Sequence, residues 1–175
     1  MNKKIKIFLT DIDGVWTDGG MYYDQSGNEL KKFNTSDSAG VKLLNLLGIP
    51  TVIITGENTE IVRRRSEKLN ILYLYQGVKN KLDIAQKISN QLKISLSEMA
   101  YIGDDYMDLN LLKEVGLSAC PINAIEIVKN NVDWIINMKG GDGVFRAFVE
   151  KYLKSINKID DCYNHLIQES SNENI

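Results

Sequence analysis

Five short, nearly continuous apolar runs punctuate this chain: IKIFLT, TVIIT, ILYLY, MAYIG and WIIN. Runs of that length without polar alternation read as strands covered on both faces, as in a buried parallel sheet. Between and after them lie segments with helical period: AGVKLLNLLG, TEIVRRRSEKLN, KLDIAQKISNQL, YMDLNLLKEVG, the short AIEIVKN and VFRAFVEKYLKSI. Ser36 to Ser38 can cap the first of these and Gly48 can stop it. Strand and helix alternating through short loops predict an α/β fold, a mostly parallel sheet flanked by helices. In such sheets ligands collect at the carboxyl ends of the strands.

One segment breaks the alternation. GGMYYDQSGNELKKF, residues 19–33, predicts a β-hairpin with a turn from Asp24 to Asn28. A lone hairpin is marginal in water and needs a surface to lean on. The 175 residues suit one domain, expected over 1–154, followed by a polar tail or frayed helix over 155–175.

Much chemistry is excluded early. The single histidine, His165, lies in the polar C-terminal stretch, so a serine–histidine triad or a multi-histidine zinc site has no material. Cys120 and Cys162 match no metal or redox spacing and read as reduced thiols. A net charge of −2 and a pI near 5.5 carry no nucleic-acid footprint. No apolar run is long enough to span a membrane, and the N-terminal run is too short for a signal peptide, so the expected location is the cytoplasm. What remains is chemistry on carboxylates, hydroxyls and lysine.

The carboxylates are arranged. Asp11 and Asp13 follow the first strand, and Asp104, Asp105 and Asp108 follow the strand MAYIG, with Asp108 one helical turn beyond Asp104. Either group alone is an ordinary turn or helix start. Together they set several carboxylates at one sheet edge, where repulsion raises their pKa values or calls for a cation. Oxygen ligands without nearby histidine or cysteine suit a hard ion such as Mg²⁺. Thr55-Gly56 ends another strand with a hydroxyl and open backbone amides, and Lys81 opens a helix with a point charge; both suit phosphate.

In that order DIDGVWT, TGE, Lys81 and GDDYMD resemble the four motifs of the haloacid dehalogenase superfamily of phosphohydrolases, over residues 5 to about 153. The resemblance implies a Rossmann-like fold. It also implies a nucleophile at Asp11 that forms an aspartyl-phosphate, and a general acid and base at Asp13. Mg²⁺ would be held by Asp11, by the backbone carbonyl of Asp13 and by Asp104, with Asp108 and Asp105 orienting its waters. Thr55 and Lys81 would grip the transferring phosphoryl group. Residues 14–36 and 56–80 leave no room for a cap domain, which favours hydrolysis over mutase chemistry.

DIDGVWTDGG, the hairpin, FNTSDSAG and GGDGVFRAFVEKYL also resemble the capless sugar-acid phosphatases of that superfamily. Members acting on 3-deoxy-D-manno-octulosonate 8-phosphate are tetramers joined through their hairpins, so a homotetramer is expected. Those members usually carry arginine after the Thr-Gly of the second motif, where this chain has Glu57. With TEIVRRRSEKL, that glutamate looks more like the enzymes acting on 2-keto-3-deoxynononic acid 9-phosphate, which is therefore the expected substrate. The octulosonate ester, N-acetylneuraminate 9-phosphate and promiscuous action on small sugar phosphates are the alternatives. Arg65 and Lys68 share a helix face and could receive a substrate carboxylate; Gly56, Glu57, Thr35 and Ser36 could contact its phosphate or hydroxyls. An inactive scaffold or a phosphoacceptor switch fits less well, because the catalytic set is complete and Asp-X-Asp is not a switch pattern.

Overall fold

The computed structural model describes residues 4–172. In chain order its elements are β1 (Ile7–Thr10), β2 (Tyr22–Tyr23), β3 (Glu29–Leu30), α1 (Asp37–Leu46), β4 (Thr51–Ile54), α2 (Glu60–Lys68) and β5 (Tyr73–Tyr75). They continue with α3 (Lys81–Leu92), β6 (Met99–Ile102), α4 (Leu109–Glu114), β7 (Leu117–Pro121), α5 (Glu126–Lys129), β8 (Trp134–Ile136), α6 (Val144–Ser155) and α7 (Ile159–Asn172). Single 3₁₀ turns at Leu96–Glu98 and Tyr106–Asp108 lead into β6 and α4.

Six strands form one sheet in the order β5-β4-β1-β6-β7-β8, and every pairing is parallel. Successive side chains on a strand face opposite ways, so β1 feeds two cores at once. Phe8 joins the core to which Leu44, Val62, Phe148 and Cys162 contribute from α1, α2, α6 and α7. Ile7 and Leu9 join the core to which Ala85, Leu111 and Val128 contribute from α3, α4 and α5. Burial on both faces is why the strands read as uninterrupted apolar runs.

The chain goes from β1 to β4 on one side and later returns to β6 on the other. The switch point therefore lies at the carboxyl ends of β1 and β6, where an α/β sheet opens a ligand crevice. The two aspartate motifs follow those two strands.

Two expectations change. β7 was not foreseen, because LSACP has small and polar residues where a strand usually announces itself; Ser118, Ala119 and Cys120 are nevertheless buried. The stretch expected as a polar tail or frayed helix holds α7, which docks on α1 and α6. Ile159, Cys162, Tyr163 and Leu166 form its inward stripe, at spacings of three, four and seven. Arg146 Nη2 donates to the Tyr163 hydroxyl at 2.9 Å and fixes the helix further.

The hairpin forms as expected from β2 and β3, paired antiparallel with Tyr22 opposite Leu30. Asp24 accepts the amides of Ser26 and Asn28 at 2.8 and 2.9 Å and so closes the turn. A bridge from Thr17 to Phe33 ties the hairpin base to the loop after β1. Among the described residues, only this hairpin lies between β1 and α1, and only α2 and β5 lie between β4 and α3, so no cap domain is inserted.

Candidate active site

Asp11 is held by its backbone before its side chain does anything. Its amide donates to Ile102 of β6 at 3.0 Å. Its carbonyl accepts from Thr10 Oγ1 at 2.8 Å, and that hydroxyl accepts from Trp16 Nε1, also at 2.8 Å. Trp16 is fully buried, with its ring 5.0 Å from Phe145 of α6. The core thus sets where the loop after β1 starts.

The loops after β1 and β6 touch closely. Gly14 has φ +84°, and a Cβ there would lie 1.9 Å from Asp104 Oδ2. A Cβ on Gly103 would lie 2.4 Å from Asp108 Cγ. Both glycines are required by close approach, and Gly14 by its backbone angle as well.

Asp108 is the organiser. It is fully buried and each of its oxygens is engaged. Oδ1 accepts from Lys81 Nζ at 2.6 Å and from the Tyr101 hydroxyl. Oδ2 accepts the backbone amides of Asp104 and Asp105 at 2.9 and 3.0 Å. Lys81 Nζ also lies 2.8 Å from Asp11 Oδ1 and so links the two strand ends. Neither Tyr101 nor Lys31, described below, was expected from the sequence to take part.

Burial and crowding shape the charges here. Burial pushes Asp11 up to about 7; Lys81 opposes the rise and Asp108 adds to it. Burial pushes Asp104 up to about 8, with repulsion from Asp11 and Asp108 adding. Burial works against the Lys81 ammonium, but the Asp11 and Asp108 carboxylates outweigh it and hold its pKa above the usual lysine value. Tyr101 is raised far above a normal phenol, by burial first and Asp108 next, and stays a neutral donor.

These residues fit a hard cation. Oxygens of Asp11, Asp104 and Asp108 all lie within 4.8 Å of one another. Asp104 Oδ1 is buried and makes no hydrogen bond, and three carboxylates face one ammonium. A divalent ion would satisfy that oxygen and relieve the repulsion that raises Asp11 and Asp104.

Asp13, half-buried, stands apart from that cluster. Its Oδ1 accepts from Thr17 Oγ1 at 3.3 Å and from Lys31 Nζ at 2.6 Å, while its Oδ2 is buried without a hydrogen bond. Asp11, Asp13, Thr55, Gly56, Lys81 and Asp104 line one cavity of about 250 Å³, with Glu57 and Asp105 also on its wall. Thr55 Oγ1 accepts the Glu57 amide at 3.3 Å.

The residues expected to read the rest of a substrate are dispersed. Arg64, Arg65 and Lys68 line a second cavity of about 470 Å³ together with Glu29, Lys31 and Phe33 of the hairpin. Arg65 is partly committed within the chain: Nη2 donates to the Asn34 carbonyl at 3.1 Å, and its guanidinium lies 5.8 Å from the Phe33 ring centre. Arg63 turns away and pairs with Glu60. Thr35 is exposed and Ser36 bonds to Asn34; the residues lining the two cavities include neither.

A parallel α/β sheet whose central strand ends in this carboxylate-and-lysine cavity defines a class, the α/β phosphatases. The chain belongs to the haloacid dehalogenase-like hydrolases, whose family model matches residues 54–148. It is 33% identical to the 3-deoxy-D-manno-octulosonate 8-phosphate phosphatase of Salmonella typhi over 160 residues, 91% of this chain and 85% of that one. Among solved structures, it is similar to the Moraxella catarrhalis enzyme of the same name, crystallised with magnesium, phosphate and KDO. That match has a TM-score of 0.90 at 36% identity, covering 94% of this chain and 95% of that one. The Yersinia pestis enzyme of that name matches at a TM-score of 0.87 and 32% identity, over 91% of this chain and 86% of that one.

Proposed function

We propose that this phosphatase uses Mg²⁺ to hydrolyse the phosphate ester of a 2-keto-3-deoxy sugar acid, with 3-deoxy-D-manno-octulosonate 8-phosphate as its first substrate. The observation that carries the reading is the Asp11–Lys81–Asp108 bridge, which sets a carboxylate, an ammonium and the Asp104 loop around one small cavity. The choice of ester follows the octulosonate 8-phosphate phosphatases that the chain resembles and replaces the nine-carbon acid expected from Glu57.

Asp11, the Asp13 carbonyl and Asp104 would hold the ion, with Asp108 fixing the Asp104 loop from behind. Bound there, Mg²⁺ supplies positive charge that lets a carboxylate approach a phosphate dianion. An Asp11 oxygen attacks phosphorus in line and the bond to the sugar oxygen breaks. Asp13 gives that departing oxygen its proton, then takes a proton from the water that attacks the aspartyl-phosphate, and inorganic phosphate leaves with Asp11 restored. Thr55 would donate a hydrogen bond to the phosphoryl oxygens and Lys81 would neutralise their charge.

Arg65 and Lys68, in the second cavity, are proposed to receive the substrate carboxylate. Glu57 on the wall of the first cavity supports a second reading, in which a nine-carbon keto acid presents more hydroxyls to it. The hairpin exposes Met21, Tyr23 and Leu30 at 54%, 65% and 64%. Apolar exposure of that kind supports hairpin-mediated assembly into a homotetramer. No helix among the described residues is long and apolar enough to cross a membrane, and action in the cytoplasm is part of the proposal.

The test is chemical. Enzyme turning over octulosonate 8-phosphate is acid-quenched and reduced with borohydride, which converts an aspartyl-phosphate to homoserine. Homoserine at position 11 is expected; homoserine at another aspartate would overturn the assignment of the nucleophile.

A further inference from the structure

Lys31 belongs to an exposed hairpin, yet its side chain is only 2% exposed. Its neighbours do the opposite: Leu30 is 64% exposed and the Lys32 side chain 64%. Alternation along the strand turns Leu30 outward and Lys31 inward. A buried ammonium is costly unless it is paired. Lys31 Nζ lies 2.6 Å from Asp13 Oδ1, with Glu29 Oε1 more distant at 4.0 Å.

The geometry points to Lys31 as the positioning residue for Asp13, holding its carboxyl so that one oxygen is tied to the hairpin and the other is kept for the leaving group. Oδ1 is occupied by Lys31 and Thr17, and Oδ2 has no hydrogen bond although it is buried. Two anchors on one oxygen remove rotation about the carboxyl and leave a single oxygen to trade protons. The fixed ammonium also stabilises the carboxylate formed when Asp13 donates its proton, so its effect is greatest where that charge develops. Lys31 walls the second cavity too, so it joins the acid to the place where the sugar would lie. This inference rests on the proposed role of Asp13 as proton donor.

An ion pair that only stapled the hairpin would affect every ester alike. A positioning role is selective, because nitrophenolate leaves without a proton and a sugar alkoxide does not. The experiment is the first-turnover rate of leaving-group release, enzyme in excess with Mg²⁺, for octulosonate 8-phosphate and p-nitrophenyl phosphate. It is run on the full chain, on Lys31→Met, on Lys31→Arg and on Asp13→Asn.

Lys31→Met should slow the sugar ester about 100-fold and the nitrophenyl ester less than about threefold. Lys31→Arg, which keeps the charge and a donor, should recover most of the sugar-ester rate and also serves if the methionine variant fails to fold. Equal loss on both esters by Lys31→Met, or by Lys31→Arg where only that variant folds, would overturn the inference, as would no loss on either. Selectivity in Asp13→Asn but not in the lysine variants overturns the inference alone. Its absence in Asp13→Asn overturns the reading of Asp13 beneath it.

Discussion

The Lys81 ammonium sits 2.8 Å from Asp11 at the end of β1 and reaches there from the first turn of α3. It is only 3% exposed and its other partner, Asp108, is wholly buried. Two strand ends and a helix start are therefore joined through one charge, which no single element could position.

Removing the Asp11 charge should separate activity from stability. Asp11→Asn is expected to lower kcat by about 10⁴-fold or more, as loss of a nucleophile does. The thermal midpoint should hold or rise, because burial already disfavours the charged form of Asp11. Turnover and thermal melting of the same preparation check both halves.

Asp108 and Asp105 should behave very differently although they are three residues apart. Asp108 Oδ2 gathers the amides of Asp104 and Asp105, whereas the exposed Asp105 carboxylate caps the 3₁₀ turn that Tyr106 begins. Asp108→Asn cannot offer the same acceptors, and the Mg²⁺ concentration for half-maximal rate should rise about 10- to 100-fold. Asp105→Asn should change it by less than about threefold, within the range of surface substitutions. A magnesium titration of each variant decides the matter.

A buried carboxylate at the start of α1, outside the Asp11–Asp104–Asp108 cluster, sets a pH dependence of stability. Burial pushes Asp37 up to about 6, against the opposing pull of Arg146 and Arg65. Its Oδ2 is buried without a hydrogen bond. The native state then holds a proton that the unfolded chain releases near its ordinary value of 3.8. Stability from this group is full below that value and is lost as pH rises through about 6. A shift of about two units corresponds to ~3 kcal/mol. Asp37→Asn should remove this slope, so the difference in urea-unfolding free energy between variant and parent should grow in the variant's favour between pH 4 and 6 and then level off. A constant difference across that window would contradict it.

Assembly should depend on the hairpin's outward face. Leu30→Glu places a charge beside its cross-strand neighbour Tyr22, and the proposed tetramer should shift to smaller species in sedimentation at micromolar concentration. Unchanged sedimentation would show that these side chains lie outside any interface.

Much of the site was legible because its parts are local in sequence. Asp11 and Asp13 flank one turn, and Asp104, Asp105 and Asp108 share another, so spacing alone placed each group at a strand end. Lys31 was not legible: its partner is 18 positions away, and only the folded hairpin brings them together. Tyr101 looked like a strand residue and is one, but its hydroxyl reaches Asp108 seven positions on. β7 escaped notice because buried Ser118 is satisfied by Asp133 fifteen residues away, a contact that composition does not announce. α7 was discounted because cysteine and tyrosine in a polar background hid a regular inward stripe.

The most direct measurement is phosphate release, with Mg²⁺ and with excess EDTA, from octulosonate 8-phosphate, the nononic acid 9-phosphate and glucose 6-phosphate side by side. The account predicts Mg²⁺-dependent kcat/KM at least about tenfold higher for the sugar-acid esters than for glucose 6-phosphate, roughly 1.4 kcal/mol of discrimination, with the octulosonate ester first. Equal rates on all three, or full activity in EDTA, would contradict it.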